Sequence, residues 1–521
     1  MRAIDYFDKR AEANPERAAI LDGDRRYSYQ EVRSMSERIA SALWANGLRA
    51  EQRVAIYAHN HAEVLFCMLG LLRAGGAWVP INFRSAAEAN IEYLNYSETS
   101  WLFYDSHVRH TIPELKAAVP SLRQLICIDG KDSVNPSLDE FMEQGANAQK
   151  CDRADAYGNL DRLMGLVPTG GTTGPAKGVR VTNLAWGTMT EMACRYWRSE
   201  EPAVNLCTAP LSHAAGVVAF TIFALGGTNV IMPGFNALEV LKNIERHRVT
   251  HLFLPPTAFY SLLVCPEVRS FNYSSLCVFL LAGSPVSPDK LEQGVQIFGP
   301  CLCQSYGQTE APMLITFLDA KTVAEAAAGD HPERLRSCGR ATTAVRLAIM
   351  DDSGKILPAH EVGEIVVRGT LVTAGYHNLP EATAEIRAHN WHHTGDVGYM
   401  DEAGYVYIVD RKKDMIITGG FNVFCTEVEA GVMALPQVQE CAVIGVPDDH
   451  WGEAVKAIVV LRQGETLSQD AVIAHCKTKL GAMKAPKSVD FCAEIPKTAA
   501  GKLDRKAMRR PYWQGAERQV H

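Results

Sequence analysis

The chain has 521 residues, 47% of them hydrophobic, which exceeds what one core usually organises and predicts at least two lobes. A formal charge of -7 provides no broad basic field of the kind nucleic-acid binders use, so any phosphate contacts must come from a few placed residues. The 14 cysteines are scattered and read as buried free thiols. Cys301-Leu302-Cys303, the one close pair, lacks a second pair at metal-ligand spacing and reads as a buried strand.

At the start of the chain, Met1-Arg2-Ala3-Ile4-Asp5-Tyr6 lacks the apolar core of a signal peptide. The end, Arg518-Gln519-Val520-His521, matches no retention signal, so the expectation is a cytoplasmic enzyme. The apolar run Arg53–Tyr57 predicts a strand and the pattern over residues 61–74 a helix. The same alternation returns at residues 250–254 and implies an α/β architecture of parallel sheets covered by helices. The longest apolar stretch, residues 217–232, contains Thr221 and Asn229 and is cut by Gly226-Gly227. It therefore predicts a helix followed by a strand, not a membrane span.

A charge cluster, Asp410-Arg411-Lys412-Lys413-Asp414, separates strand-like runs at 404–409 and 415–418. It sets the expected division into a large N-terminal domain, 1–410, and a small mobile α+β domain, 411–521. In the latter, residues 438–446, 454–461 and 488–495 predict strands and 468–480 a helix.

The segment richest in chemistry follows an apolar run at 163–167: Thr169-Gly170-Gly171-Thr172-Thr173-Gly174-Pro175-Ala176-Lys177-Gly178. Its glycines let backbone N–H groups converge on an anion, its threonines add hydroxyl donors and Lys177 adds a point charge, a combination that suits a polyphosphate. A Walker A loop requires Gly-Lys followed by Ser or Thr, and here Ala176 precedes the lysine and Gly178 follows it.

At this segment the sequence resembles the adenylate-forming superfamily of acyl-CoA and aryl-CoA synthetases, luciferases and peptide-synthetase adenylation domains, and further motifs follow in that family's order. In Gln304-Ser305-Tyr306-Gly307-Gln308-Thr309-Glu310, the resemblance implies that Tyr306 stacks on adenine, Thr309 contacts the α-phosphate and Glu310 helps hold Mg²⁺. Gly283-Ser284-Pro285 adds to the ATP site, and Asp396 accepts the ribose hydroxyls with support from Arg411. His392 and His393, being adjacent, point apart and are not read as a metal pair. His213, with Ala214, Gly216, Val217, Gly283 and Gln308, is implied to line the pocket of the carboxylic acid.

In the small domain, Lys502 resembles the lysine that stabilises charge on the reacting carboxylate and phosphate. Gly419, Gly420 and Phe421 resemble the loop that lines the coenzyme A channel, and Lys413 the hinge that exchanges one for the other.

The implied activity is ATP-dependent ligation of a small-molecule carboxylic acid to coenzyme A through an acyl adenylate, with a fatty or aromatic acid favoured by the small residues at 214, 216 and 283. Two alternatives stay open: transfer to another acceptor such as a carrier thiol or an amine, and a non-catalytic adenylate binder. A homodimer is compatible with this reading. Four positions depart from the family pattern: Pro168, Gly170, Ala176 and Cys425 stand where an aromatic residue, Ser, Pro and Pro are usual.

Overall fold

The computed structural model describes residues 1–146, 159–169, 176–212, 214–448, 450–497 and 503–513. It divides into two compact units, one made of the chain up to Leu347 together with Val367–His392, the other of Ala348–Val366 and the chain from His393 on. The chain thus passes into the second unit, returns, and leaves again before the 410/411 position expected from charge alone.

The first unit contains two predominantly parallel sheets. One is six-stranded, in the spatial order Gln124–Cys127, Trp101–Tyr104, Arg53–Tyr57, Ala77–Pro80, Leu163–Pro168, Gly178–Thr182. The other runs Arg25–Ser28, Ala18–Asp22, Thr228–Ile231, Val204–Cys207, His251–Leu254, Val278–Ala282, Leu302–Gln308, Ala311–Leu318, Gly339–Ala341. The stretch read as helix then strand is the helix Ala214–Leu225 followed by the strand Thr228–Ile231. The Cys301/Cys303 pair is buried at the start of a strand.

Both sheets share one hydrophobic core. Val54, Ile56 and Phe103 from the first and Ile20, Cys207 and Ile231 from the second belong to the same buried cluster as Phe7, Leu43, Phe66 and Phe220 from helices. Local sequence sets the helices: Ser28 accepts the N–H of Glu31 while Glu31 accepts the N–H of Ser28, a capping box that starts Tyr29–Ala45. Gly75, at φ 78, ends Ala62–Ala74 in the left-handed conformation. Removing a filled aromatic position such as Phe7, which is wholly buried, costs about 3 to 5 kcal/mol in cores of this kind.

The second unit holds a five-stranded sheet in which Phe421–Val423, Ile416–Thr418, Gly452–Leu461 and Val438–Asp448 follow one another and Ser488–Phe491 lies parallel to Gly452–Leu461. The helices Cys425–Met433 and Gln469–Leu480 supply Val428, Val432, Val472 and Cys476 to its core. In the same unit His392–Met400 pairs antiparallel with Tyr405–Arg411. Among the described residues, no helix is long and apolar enough to cross a membrane.

Candidate active site

Val204–Cys207, His251–Leu254, Val278–Ala282 and Leu302–Gln308 are mutually parallel neighbours, so their carboxyl ends share one edge of the sheet. Open α/β sheets bind ligands at that edge. The segments leaving it are 208–217, 283–285 and 306–310, and they carry Ala214, Gly216, Val217, Gly283, Ser284, Pro285 and the run from Tyr306 to Glu310 among the candidates drawn from sequence. Gly283, Ser284 and Pro285 form an exposed turn directly after Ala282, whose sheet partner is Ser305. Ser305 is 6% exposed, and its hydroxyl has no hydrogen-bond partner among the described residues. Such a buried hydroxyl on a ligand-facing edge fits a polar ligand.

Thr309 and Glu310 form a two-residue turn between Leu302–Gln308 and Ala311–Leu318, with Gln308 opposite Ala311. Gly307 permits this hairpin to close: a Cβ there would lie 2.5 Å from the backbone N of Met313. Glu310 is buried, and its carboxylate accepts the hydroxyl of Tyr376 at 2.7 Å, the one donor to it among the described residues. Its backbone carbonyl takes the N–H and the hydroxyl of Thr373 at 2.9 and 3.0 Å. Burial, and then the Glu310 carboxylate, hold the Tyr376 phenol far above its ordinary pKa, so it stays a neutral donor.

Tyr376 also reaches the hairpin that flanks the glycine-rich segment. Leu163–Pro168 and Gly178–Thr182 are antiparallel, Pro168 faces Gly178, and the Thr169 N–H donates to the Lys177 carbonyl at 2.9 Å, which ties together the two ends of the glycine-rich segment. The segment Ala374–His377 pairs with this hairpin through Arg180 N to Gly375 O, Ala374 N to Arg180 O and His377 N to Gly178 O, each at 2.8 to 3.0 Å. The Lys177 ammonium then lies 4.9 Å from the centre of the Tyr376 ring. One tyrosine thereby joins a carboxylate and an ammonium 133 positions apart in the chain (310 minus 177). Sequence reading missed Tyr376; its one local signal is Gly375-Tyr376 after a strand.

Beside segment 208–217, Asn60 anchors the chain by donating to the carbonyls of Ala209 and Met232 and accepting the N–H of Leu211 at 2.9 Å. Ala214 and Val217 are half-buried at the start of Ala214–Leu225. Gly216 has a packing reason for its identity: a Cβ would stand 2.0 Å from the Leu211 carbonyl oxygen, so the missing side chain is replaced by backbone, not by open space. Gln308 Oε1 accepts from His392 Nε2 at 3.3 Å.

In the second unit, Asp396 and Arg411 face each other across the pair His392–Met400 and Tyr405–Arg411, with Arg411 Nε 3.2 Å from the buried Asp396 carboxylate. Glu364 braces the same turn: it accepts the Gly395 N–H at 3.0 Å, meets His393 Nδ1 at 3.1 Å and Lys412 at 3.2 Å. Burial opposes its charge, yet His393 and Lys412 outweigh that and hold it below its ordinary pKa. The two adjacent histidines thus serve different partners, an amide and a carboxylate.

Close to Lys413 lies a buried acidic node. Asp410 accepts the N–H of Arg411 at 2.7 Å and the N–H of Cys425. Asp414 meets Arg509 at 2.8 Å and Arg505 at 3.7 Å, and Glu429 meets Arg505 at 2.7 Å. Gly419 and Gly420, at φ 56 and 81, make the two-residue turn that pairs Thr418 with Phe421, a conformation that favours glycine at both positions. Phe421 is 59% exposed. Gly170, Gly171, Thr172, Thr173, Gly174, His213 and Lys502 lie outside the described residues.

The AMP-binding enzyme family model matches residues 7–377 and the AMP-binding enzyme C-terminal domain model residues 427–502. A medium/long-chain-fatty-acid–CoA ligase of Mycobacterium tuberculosis is 37% identical, covering 96% of this chain and 88% of its own. A feruloyl-CoA synthase of Amycolatopsis is 35% identical, covering 97% and 98%. The solved structure of an amide bond synthetase from Marinactinospora thermotolerans superposes with a TM-score of 0.87 at 28% identity, covering 98% and 100%.

Proposed function

We propose that this chain, which belongs to the family of AMP-binding enzymes and is an ATP-dependent acid:CoA ligase, acts on a fatty or aromatic carboxylic acid. The observation that carries the reading is the Glu310–Tyr376–Lys177 constellation, its carboxylate buried, at the ligand-binding edge of a parallel sheet whose strand Leu302–Gln308 also carries the buried hydroxyl of Ser305.

A carboxylate is a poor electrophile and shares its charge sign with ATP. In the first step its oxygen attacks the α-phosphorus, a P–O bond to pyrophosphate breaks, and an acyl adenylate forms. In the second, a thiol sulfur attacks the acyl carbon, AMP leaves, and the thiol proton is lost to solvent. Lys177 and the glycine-rich loop hold the polyphosphate, Thr309 contacts the α-phosphate, Tyr306 receives adenine, and Asp396 with Arg411 receives the ribose. Glu310 is the residue that would hold Mg²⁺, which when bound neutralises phosphate charge; a hard cation of this kind uses one or two protein carboxylates. Tyr376 keeps the Glu310 carboxylate oriented toward that task.

Lys502 stabilises the charge that develops in the first step. The small domain, 411–521, then turns about Lys413 and replaces Lys502 with the Gly419-Gly420-Phe421 turn, along which coenzyme A enters. Gly170, in place of the usual serine, removes one phosphate donor, and a hydrogen bond to a charged group is worth about 1.5 to 3 kcal/mol, so adenylation is slowed and not abolished.

The relatives named for fatty-acid and feruloyl substrates support an apolar or aromatic acid. The likeness to an amide bond synthetase supports a second reading, in which an amine takes the place of the thiol. Incubation with ATP, Mg²⁺ and a panel of fatty and aryl acids, with coenzyme A or an amine, separates the two by mass spectrometry. AMP and acyl-CoA rising together only with coenzyme A is the expected result. Amide product with no acyl-CoA favours the second reading, and no turnover across the panel overturns both.

A further inference from the structure

Away from the catalytic edge, the first unit carries a second cluster of metal-binding side chains. Asp105 ends the strand Trp101–Tyr104 and is fully buried. One carboxylate oxygen, Oδ1, accepts the Val108 N–H at 3.1 Å. The other, Oδ2, accepts the His59 N–H at 2.7 Å and lies 2.9 Å from His59 Nδ1 and 3.8 Å from His107 Nδ1. Among the described residues, its ion-pair partners are these two histidines and no lysine or arginine. One ligand atom from each of His59, Asp105 and His107 lies within 4.8 Å of the other two. The His59 ring is held by stacking on Phe83 at 4.0 Å, whereas His107 is mostly exposed and free to adjust.

A tetrahedral ion with bonds of about 2.0 to 2.1 Å separates its ligands by about 3.4 Å, a value that the two measured separations from Asp105 Oδ2 straddle. His59 and His107 also line an open groove of about 1190 Å³ whose wall carries eight Asp and Glu against three Lys and Arg. Of those three, Arg25 is already bound to Asp22 and Glu63. Such a groove concentrates cations. Two imidazoles and one carboxylate select a borderline transition ion such as Zn²⁺, Co²⁺ or Ni²⁺ over Mg²⁺, which prefers oxygen.

We propose that His59, Asp105 and His107 form a transition-metal site, separate from the catalytic Mg²⁺ position, that clamps the loop after Arg53–Tyr57 to the loop after Trp101–Tyr104. The ion takes the place of the direct contact between His59 Nδ1 and Asp105 Oδ2.

The test is titration of chelator-stripped protein with Co²⁺ followed by visible absorption, and with Zn²⁺ by calorimetry in excess Mg²⁺. The expected result is one equivalent bound with micromolar affinity, tetrahedral ligand-field bands without a thiolate charge-transfer band, and a Tm raised by several degrees. His107→Gln, at an exposed position, weakens binding at least tenfold while AMP formation is unchanged; His59→Gln does the same if it folds. Failure to bind below millimolar Zn²⁺, binding unaltered in His107→Gln, or a thiolate band revealing a cysteine site would each overturn the proposal and leave the trio a hydrogen-bonded cluster.

Discussion

Glu310 and Asp410 are both buried carboxylates, one in each compact unit, and they are held in opposite ways. Glu310 has a phenol on its carboxylate and two donors on its backbone carbonyl, with Lys177 one ring away. Asp410 is surrounded by charge. Burial pushes it up to about 6, Asp414 and Glu429 add to that, and the Arg411 N–H and Arg505 resist. A neutral orienting partner leaves a carboxylate able to take a ligand cation, whereas a network of acids and guanidiniums uses the carboxylate to hold the fold. The contrast fits the metal-holding role proposed for the first and a role in mechanical integrity for the second.

The sharpest way to break that contrast is Glu310→Gln, which lowers ATP–pyrophosphate exchange roughly 100- to 1,000-fold, the usual loss when a placed electrostatic group is removed. A loss under threefold would return Glu310 to a structural role. Tyr376→Phe removes one hydrogen bond to a charged group, about 1.5 to 3 kcal/mol, and cuts the same exchange about tenfold or more. Full activity in that variant would show that the carboxylate needs no orienting phenol.

Asp410→Asn changes turnover at neutral pH less than twofold but alters the dependence of stability on pH. The folded chain keeps a proton on Asp410 up to about pH 6, while an unfolded aspartate loses it near 3.9. The stability it contributes is therefore complete below about pH 4 and is lost as the pH rises through about 6, up to about 3 kcal/mol for a two-unit shift. Denaturant unfolding at pH 4, 5, 6 and 7 should show this decline in the parent and its absence in Asp410→Asn. The smallest effect is that of Cys425→Pro. Cys425 is the first residue of Cys425–Met433, where proline is tolerated, but proline cannot donate the N–H that Asp410 accepts. Turnover is unchanged, and the stability transition moves to higher pH.

Much of the fold is legible because helix and strand periods are local: the strand Arg53–Tyr57, the helix now at Ala62–Ala74 and the helix–strand pair after residue 214 all follow from patterns a few residues long. The motifs at 304–310 and 396 are legible for a similar reason, since each sits on one strand and its exit. Tyr376 is not, because it meets Glu310 only after Ala374–His377 pairs with a strand nearly two hundred residues earlier, at Gly178–Thr182. His59 and Asp105 meet because parallel neighbours, Arg53–Tyr57 and Trp101–Tyr104, end side by side. Gly216 reads from sequence as room for a substrate, and the Leu211 carbonyl that occupies that space has no sequence signature. The interruption at Ala348–Val366 is equally silent, since nothing in composition marks the chain's excursion into the second unit.

The strand Ala18–Asp22 precedes its parallel partner, Thr228–Ile231, by about 200 residues of chain (228 minus 22). Ribosomes add about 5 to 20 residues per second, so this largely apolar strand, Ala18-Ala19-Ile20-Leu21-Asp22, waits roughly 10 to 40 seconds before its neighbour has been made. During that interval its hydrogen-bonding edge is satisfied by water or by a holding chaperone, and pairing cannot begin until the middle of the chain has emerged. Truncation before residue 231 therefore leaves a nascent chain with an unpaired, aggregation-prone edge. Topology thus sets this aggregation risk during synthesis, before the strands His251–Leu254, Val278–Ala282 and Leu302–Gln308 of the catalytic edge exist.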